Sequence, residues 1–257
     1  MKLRGSLALI TVFIALIVCD IVQRIVIAPW VRFRPNRRIP VLARWIKFMA
    51  WITTRPLVRI GGASIPLPRP VVPTRPGVLI LMNHQSVFDI PLVVQTVADG
   101  YPRIVTRARY SRFIPLISHM VRLYQYPVVD PTANPEELRE SIDSLGAAGR
   151  DSDVPLALFP EGTRTKDGRI GRFKSAGIRR LLAERRWTVY VFVADGFWQV
   201  AKFKDFLNGM EHVEGRVAHV GTLEWTSPGD DPRAFIEEAR EMMIAGLAAC
   251  RAGTDLA

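Results

Sequence analysis

The feature that most constrains this chain is an uncharged apolar run near its N-terminus. From Gly5 to Cys19 the sequence contains no charged residue, and apolar residues resume beyond Asp20 and Arg24 as far as Trp30. A helix needs about 20 apolar residues to cross the hydrocarbon core of a bilayer, and this stretch provides that length. Asp20 and Arg24 stand at i and i+4, so they can pair on a helical face that avoids lipid. The run therefore predicts a membrane-associating helix.

The positive charge of the chain is concentrated in the same region. Residues 1–60 hold eleven Lys and Arg residues against one acid, a net charge of +10, whereas residues 61–257 hold 24 Lys and Arg residues against 23 Asp and Glu residues. A nucleic-acid-binding domain would carry its excess charge on the folded body, so we expect no nucleic-acid partner. Positive charge beside apolar helices favours an anionic membrane surface. A signal peptide is the alternative, but no small-x-small cleavage site follows the run.

A second apolar pattern predicts an amphipathic helix. Apolar residues recur at helical spacing from Val41 to Ile52, while Arg44 and Lys47 lie off that face. Tryptophan and basic side chains favour the headgroup zone of a bilayer. We therefore predict that residues 1–60 form a two-helix membrane anchor, with a core helix of a soluble domain as the alternative for the second pattern. The proline-rich stretch 66–76 then acts as a stiff connector into a main domain, residues 61–257.

The main domain has the alternating pattern of an α/β fold. Short apolar runs typical of strands are separated by helical stretches, and this alternation predicts a central mixed sheet flanked by helices. The predicted strands are 78–82, 127–129, 156–159 and 189–193, and the predicted helices include 136–145 and 177–186. Two cysteines, Cys19 and Cys250, support neither a disulfide framework nor a thiolate metal site, which fits a reducing, intracellular setting.

Polar residues follow the first predicted strand in the sequence NHQSVFD, residues 83–89. His84 and Asp89 are five apart, about 140° around a continuous helix at ~3.6 residues per turn, so they need a turn to meet. Pro91 suits the first turn of a helix, which lets the preceding loop bring His84 back to Asp89. A histidine can take a proton from an attacking alcohol while a carboxylate fixes its tautomer. The alternative is an Asp89 that only caps the helix and an ordinary loop histidine.

The sequence FPEGTRT, residues 159–165, follows another strand-like run. Gly162 permits close backbone approach, Thr163 can cap or donate a hydrogen bond, and Arg164 offers a planar fork suited to a phosphate or a carboxylate. A β-turn followed by a solvated basic helix is the alternative interpretation.

Together the two motifs resemble the glycerolipid acyltransferase family, whose best known members are the 1-acyl-glycerol-3-phosphate acyltransferases. NHQSVFD matches the family's block of Asn-His, four residues and Asp, and FPEGTRT matches its block of Phe-Pro-Glu-Gly-Thr-Arg, within a resemblance over about residues 75–200. The resemblance implies that His84 is the general base and Asp89 its partner. It places the second block at the site of the acceptor phosphate, namely Glu161, Gly162, Thr163 and Arg164.

The same resemblance implies a reaction. A fatty acyl group would pass from acyl-carrier protein (acyl-ACP) or acyl-coenzyme A (acyl-CoA) to the free hydroxyl of 1-acyl-glycerol-3-phosphate or a related lysophospholipid, in phospholipid biosynthesis. No cofactor or metal ion is implied. We expect the protein at an anionic membrane, on the cytoplasmic face of the inner or plasma membrane.

Two departures from the family pattern bear on the acceptor. Between the motifs the family usually has a Gly, apolar residues and an Arg that helps to hold the acceptor phosphate, whereas LYQYPVVDP has Asp130 and Pro131 there. Upstream, Arg107, Arg109 and Arg112 can supply charge, and Arg109 lies near a position where family members often carry Lys. After the second motif the family usually shows a Val-Pro strand, and TVYVFVADGFW contains no proline.

Other functions remain as alternatives. A serine hydrolase could use Ser86, two residues from His84, but the chain has no Gly-x-Ser-x-Gly elbow. A non-catalytic lipid-binding protein would use the same anchor without needing His84 and Asp89. The third alternative is an acyltransferase whose acceptor is a lysolipid without a glycerol phosphate.

Overall fold

The computed structural model describes residues 2–200 and 210–253, and a mixed sheet lies at its centre. Its strands are β1 (Val78–Met82), β2 (Arg103–Ile104), β3 (Thr106–Arg107), β4 (Val128–Val129), β5 (Leu156–Leu158), β6 (Trp187–Asp195) and β7 (Arg216–Trp225). Five of them form one sheet in the order β2-β5-β1-β6-β7, in which only β7 is antiparallel to its neighbour. β3 and β4 pair separately as a short parallel ribbon.

The helices precede, follow and connect these strands. They are α1 (Lys2–Val22), α2 (Ala28–Phe33), α3 (Arg38–Arg59), α4 (Asp89–Gln95), α5 (Ile117–Leu123), α6 (Pro135–Arg150), α7 (Ser175–Glu184) and α8 (Arg233–Ala252). A π-helical segment, Gln23–Ile27, joins α1 to α2. The predicted α/β architecture with a mixed sheet is therefore confirmed. The predicted strand 127–129 is wrong in one respect, because it becomes β4 and pairs with β3 outside the central sheet.

Alternate residues of β1 pack into two different hydrophobic cores, one on each face of the sheet. Ile80 and Met82 pack into a core shared with α1, α3, α4 and α5, whereas Leu79 and Leu81 pack into a core shared with α6, α7 and α8. Successive strand residues point to opposite faces, and both faces of this strand are buried, which accounts for its continuous apolar run. The N-terminal helices thus cover one face of the sheet, and α6, α7 and α8 cover the other.

One helical stretch in the described part of the chain, Leu3–Phe33, is long and apolar enough to cross a membrane by length and composition. The ion pair expected inside it is present, with Arg24 Nε 2.9 Å from Asp20 Oδ1. Large apolar side chains of this stretch are exposed, among them Leu7, Ile10, Phe13, Ile14, Ile17, Val18, Ile21, Ile25 and Val26. Exposed apolar surface of this extent marks an interaction site.

The second predicted anchor helix is built into the protein core. It lies within the longer helix α3, which packs against α1 and α4 and buries Leu42, Ile46, Met49 and Leu57. The predicted two-helix anchor is therefore not confirmed. An amphipathic helix has the same residue pattern whether its apolar face meets lipid or protein. The stretch 66–76 follows as an extended segment, with Val72 bridging to Val97.

A buried amide ties the N-terminal helices to α5. Gln23, in the π-helical segment, is fully buried and accepts a hydrogen bond from Trp45 Nε1 at 3.1 Å. Its Nε2 lies 2.9 Å from Nδ1 of His119 in α5. Because a buried amide without partners is costly, these contacts fix the position of Gln23 against both α3 and α5.

Candidate active site

The loop that follows β1 is pinned on both sides of His84. Asn83 extends the pairing of β1 with β6, because its side chain donates to Ala194 O at 2.8 Å and accepts from Ala194 N at 2.7 Å. Gln85 donates to Asp195 Oδ1 at 3.1 Å and accepts from Phe197 N at 3.0 Å. Both neighbours of His84 are thus held by the carboxyl end of β6, and this is the edge of an α/β sheet where ligands usually bind.

The turn that His84 and Asp89 require is present. Asp89 is the first residue of α4 and is fully buried, and its Oδ2 lies 2.7 Å from Nδ1 of His84. The same oxygen accepts from the backbone N–H groups of Gln85 at 2.6 Å and Ser86 at 2.8 Å. A carboxylate on Nδ1 fixes the tautomer that leaves Nε2 as a proton acceptor.

The imidazole of His84 is oriented by an aromatic neighbour. Its ring stacks on Phe159, at the end of β5, with centroids 4.5 Å apart and planes 24° apart. The side chain is 21% exposed, and Nε2 has no hydrogen-bond partner among the residues that the structure describes. The ring is therefore fixed by Asp89 and Phe159, while one nitrogen remains available to a substrate.

Ser86 does not have the geometry of a nucleophile. It is fully buried, and its hydroxyl oxygen makes no hydrogen bond within the described part of the chain. The Nδ1 of His84 is engaged by Asp89. The serine-hydrolase alternative therefore has no support from this geometry.

The second motif holds the backbone of His84. The buried carboxylate of Glu161 accepts from His84 N at 3.2 Å through Oε1 and from Gly171 N at 3.4 Å through Oε2. Thr165 N donates to His84 O at 2.8 Å. Burial raises the pKa of Glu161, and the two backbone hydrogen bonds oppose that rise. The resemblance places Glu161 at the acceptor phosphate, and in the structure its carboxylate faces two backbone N–H groups.

Gly162 occupies a position that suits only glycine. Its φ of 62° lies in the left-handed region, and an added Cβ would stand 2.9 Å from Cδ of Lys174. Arg107 donates a hydrogen bond to Gly162 O. In the same motif Arg164 is half-buried and Thr163 is exposed.

Of the three upstream arginines expected to supply charge, Arg107 contacts the second motif. Arg109 is exposed in the 3₁₀ turn after β3, where its guanidinium lies 4.7 Å from the ring centroid of Tyr110 and donates to the Tyr110 hydroxyl at 2.7 Å. Arg107 reaches the motif because β3 pairs with β4 at that residue. At the position of the missing family arginine, Asp130 accepts from Thr132 N at 3.0 Å and Thr132 Oγ1 at 2.7 Å.

Sequence reasoning missed Asp195 and Arg251. Arg251, at the end of α8, donates to both carboxylate oxygens of Asp195, at 2.9 Å and 2.8 Å. Burial alone raises the pKa of Asp195, but the hydrogen bonds from Arg251 and Gln85 lower it below its ordinary value. The available signal was the position of Asp195 at the end of the apolar run of β6, comparable to that of His84 after β1. Among the described residues, no group of three or more His, Cys, Asp or Glu side chains is placed to hold a metal ion.

Comparison of the sequence with known proteins finds similarity to acyltransferases. Residues 69–194 match the sequence model of the family described as Acyltransferase. Over 139 residues the chain is 28% identical to a 1-acyl-sn-glycerol-3-phosphate acyltransferase from Cocos nucifera. The aligned region covers 54% of this chain and 41% of that protein. The chain thus spans about two fifths of this curated relative. These sequence matches confirm the resemblance found in the two motifs.

The fold is similar to a solved structure. The crystal structure of the 1-acyl-sn-glycerophosphate (LPA) acyltransferase PlsC from Thermotoga maritima superposes with a TM-score of 0.67, at 19% identity and 98% coverage of both chains. At this identity the likeness concerns the fold. It extends over the N-terminal helices as well as the sheet.

Proposed function

We propose, from the match of residues 69–194 to the Acyltransferase family model, that the chain is an O-acyltransferase that acts on 1-acyl-glycerol-3-phosphate in phospholipid synthesis. The observation that carries the proposal is the pairing of His84 with Asp89 at the carboxyl end of β1, with Nε2 left available. A base of this kind suits an alcohol acceptor and a thioester donor.

The proposed reaction is a direct transfer. His84 Nε2 takes the proton of the acceptor hydroxyl as its oxygen bonds to the thioester carbonyl carbon. The carbon–sulfur bond then breaks, and the thiolate takes the proton from the imidazolium. Asp89, which accepts from Nδ1, stabilises the imidazolium between these steps. The donor is already activated, so no enzyme nucleophile, metal ion or cofactor is needed.

The second motif has two tasks in this proposal. Glu161 and Thr165 hold the backbone of His84, so they act as positioning residues. Arg164 binds the acceptor phosphate, and Arg107 supplies charge beside it through its contact with Gly162. Thr163 is exposed at the same turn and can donate to the phosphate. Arg109, which is exposed on the turn after β3, stays a predicted contact of the acceptor.

The proposed location is the cytoplasmic face of an anionic membrane. The exposed apolar side chains of α1 would insert into the bilayer, and the positive charge of residues 1–60 would contact anionic headgroups. The lipid acceptor would then enter the site directly from the bilayer.

An acceptor assay tests the phosphate assignment. Initial rates are measured for lysophosphatidic acid and for lysolipids without a glycerol phosphate, with acyl-CoA and acyl-ACP as donors. We expect lysophosphatidic acid to be preferred. Arg164→Lys keeps the charge and loses the fork, so it should raise the KM for this acceptor severalfold and leave the donor KM nearly unchanged.

A second acceptor class is favoured by one observation. Asp130 closes a turn with Thr132 where the family carries a phosphate-binding arginine, which points to an acceptor without a glycerol phosphate. A preference for such a lysolipid that Arg164→Lys leaves unaltered would contradict the phosphate assignment. Acyl transfer through His84 would still stand.

A further inference from the structure

A basic groove lies between α7 and α8. Its volume is about 470 Å³, and four arginines line it together with two buried apolar side chains, namely Arg172, Arg179, Arg233, Arg240, Phe173 and Ile236. Both helices belong to the layer that covers the face of the sheet opposite α1 and α3. If the N-terminal helices meet the bilayer, this groove faces water.

The groove carries positive charge that its own acids do not neutralise. Arg233 pairs with Asp231 at 2.6 Å, and Arg240 pairs with Glu237 at 2.9 Å. Arg172 and Arg179 have no carboxylate within 4.0 Å among the residues that the structure describes. Guanidinium groups bind phosphate through paired N–H donors, and their planar face also stacks on flat aromatic rings.

A series of hydrogen bonds links a residue of the groove to the backbone of the catalytic base. Arg240 Nε donates to Gly171 O at 3.3 Å, and Gly171 N donates to Glu161 at 3.4 Å. The other oxygen of that carboxylate accepts from His84 N at 3.2 Å. Arg240, which lines the groove, is therefore linked through Gly171 and Glu161 to the backbone of His84. A donor held in the groove would need a long, flexible thioester arm to reach the base.

We propose that the groove between α7 and α8 binds the phosphorylated nucleotide end of an acyl-CoA donor. The inference rests on the proposed acyl transfer, in which the lipid acceptor comes from the bilayer and the donor comes from water. The 3′-phosphate and the diphosphate of coenzyme A match the arginines, and its adenine ring can stack on a guanidinium group. A concave cavity of this volume has the size of a small-molecule site, whereas a carrier protein docks on a broader surface of about 800 Å².

Donors that lack single groups test the inference. The full chain is assayed with acyl-CoA, acyl-3′-dephospho-CoA and acyl-pantetheine, and the double variant Arg172→Gln/Arg179→Gln is compared with it. Arg240 is left unchanged because it also supports Gly171. Arg139→Gln, which removes the same charge from an exposed position of α6, is the matched control.

The expected result is a change in discrimination between donors. The wild-type chain should have a KM about tenfold lower for acyl-CoA than for its dephospho analogue, as for a charge-assisted phosphate contact. The double variant should bring that ratio close to one, and Arg139→Gln should keep it. The ratio compares two donors on one protein, so partial misfolding of the variant does not change it.

Three results would overturn the inference. One is a double variant that keeps the wild-type ratio. Another is a chain that transfers from acyl-ACP and does not use acyl-CoA, which would leave the proposed function intact. If no donor supported transfer, the proposed function would fail. The groove would then be tested by calorimetric titration of the wild-type chain and the double variant with coenzyme A, and equal affinities of the two proteins would be the third contradicting result.

Discussion

At the scale of single residues, His84 is held through its backbone as well as its ring. Glu161 and Thr165 contact its N–H and C=O, while Asp89 and Phe159 orient the imidazole. A glutamine at position 161 has one acceptor oxygen for the two N–H groups that the carboxylate satisfies. We expect Glu161→Gln to lower kcat about tenfold through misplacement of His84 and to leave the acceptor KM unchanged.

The stability of the same variant provides its control. Burial raises the pKa of Glu161 in the folded protein above its value in the unfolded chain, which is about 4.3. The protonated side chain therefore stabilises the wild-type fold at low pH, and this stabilisation is lost as the pH rises through the folded pKa. Glutamine does not titrate, so the Tm of Glu161→Gln minus the Tm of the wild type should increase between pH 4 and pH 7. A raised acceptor KM with unchanged kcat would instead place Glu161 in the acceptor site.

The pairing of His84 with Asp89 could be predicted because all its signals are local. A strand, a turn and Pro91 lie within a few residues of the pair. The contact of Arg251 with Asp195 joins residues 56 apart, and no local pattern indicates it. Arg107 and Arg109 are likewise indistinguishable until the pairing of β3 with β4 is known.

At the scale of elements, the strands that are buried on both faces could be predicted, because they appear in the sequence as continuous apolar runs. β1 has the predicted bounds, and β6 extends the predicted run at both ends. β7 was missed because its residues are mostly half-exposed, so it lacks a continuous apolar run. Strands of two residues, such as β2 and β3, are defined only by their partners.

The apolar face of α1 gives the prediction at this scale. Ile14→Asp/Ile21→Asp places two charges on exposed positions of that helix. If α1 inserts into the bilayer, burying these charges is costly, and the fraction of protein that sediments with membranes should fall by more than half. Ile244→Asp, on an exposed position of α8, is the matched control and should leave the fraction unchanged. Equal sedimentation of all three proteins would contradict insertion of α1.

At the scale of the whole molecule, the sheet separates two surfaces of different character. One face carries the apolar N-terminal helices, and the other carries the basic groove between α7 and α8. His84 lies at the edge of the sheet between them, at the end of β1. A lipid and a water-soluble donor could therefore reach one base from opposite sides.

The most direct test of the account is the rate of acyl transfer by His84→Ala. The purified full chain is reconstituted in anionic phospholipid vesicles, and transfer to lysophosphatidic acid is measured with saturating thioester donor. His212→Ala, which removes an exposed histidine, is the matched control and should retain the wild-type rate. The account predicts that His84→Ala loses at least ~100-fold in kcat while it still unfolds in one cooperative transition, which shows that the fold is intact. A rate within a few fold of the wild type would show that His84 is not the base.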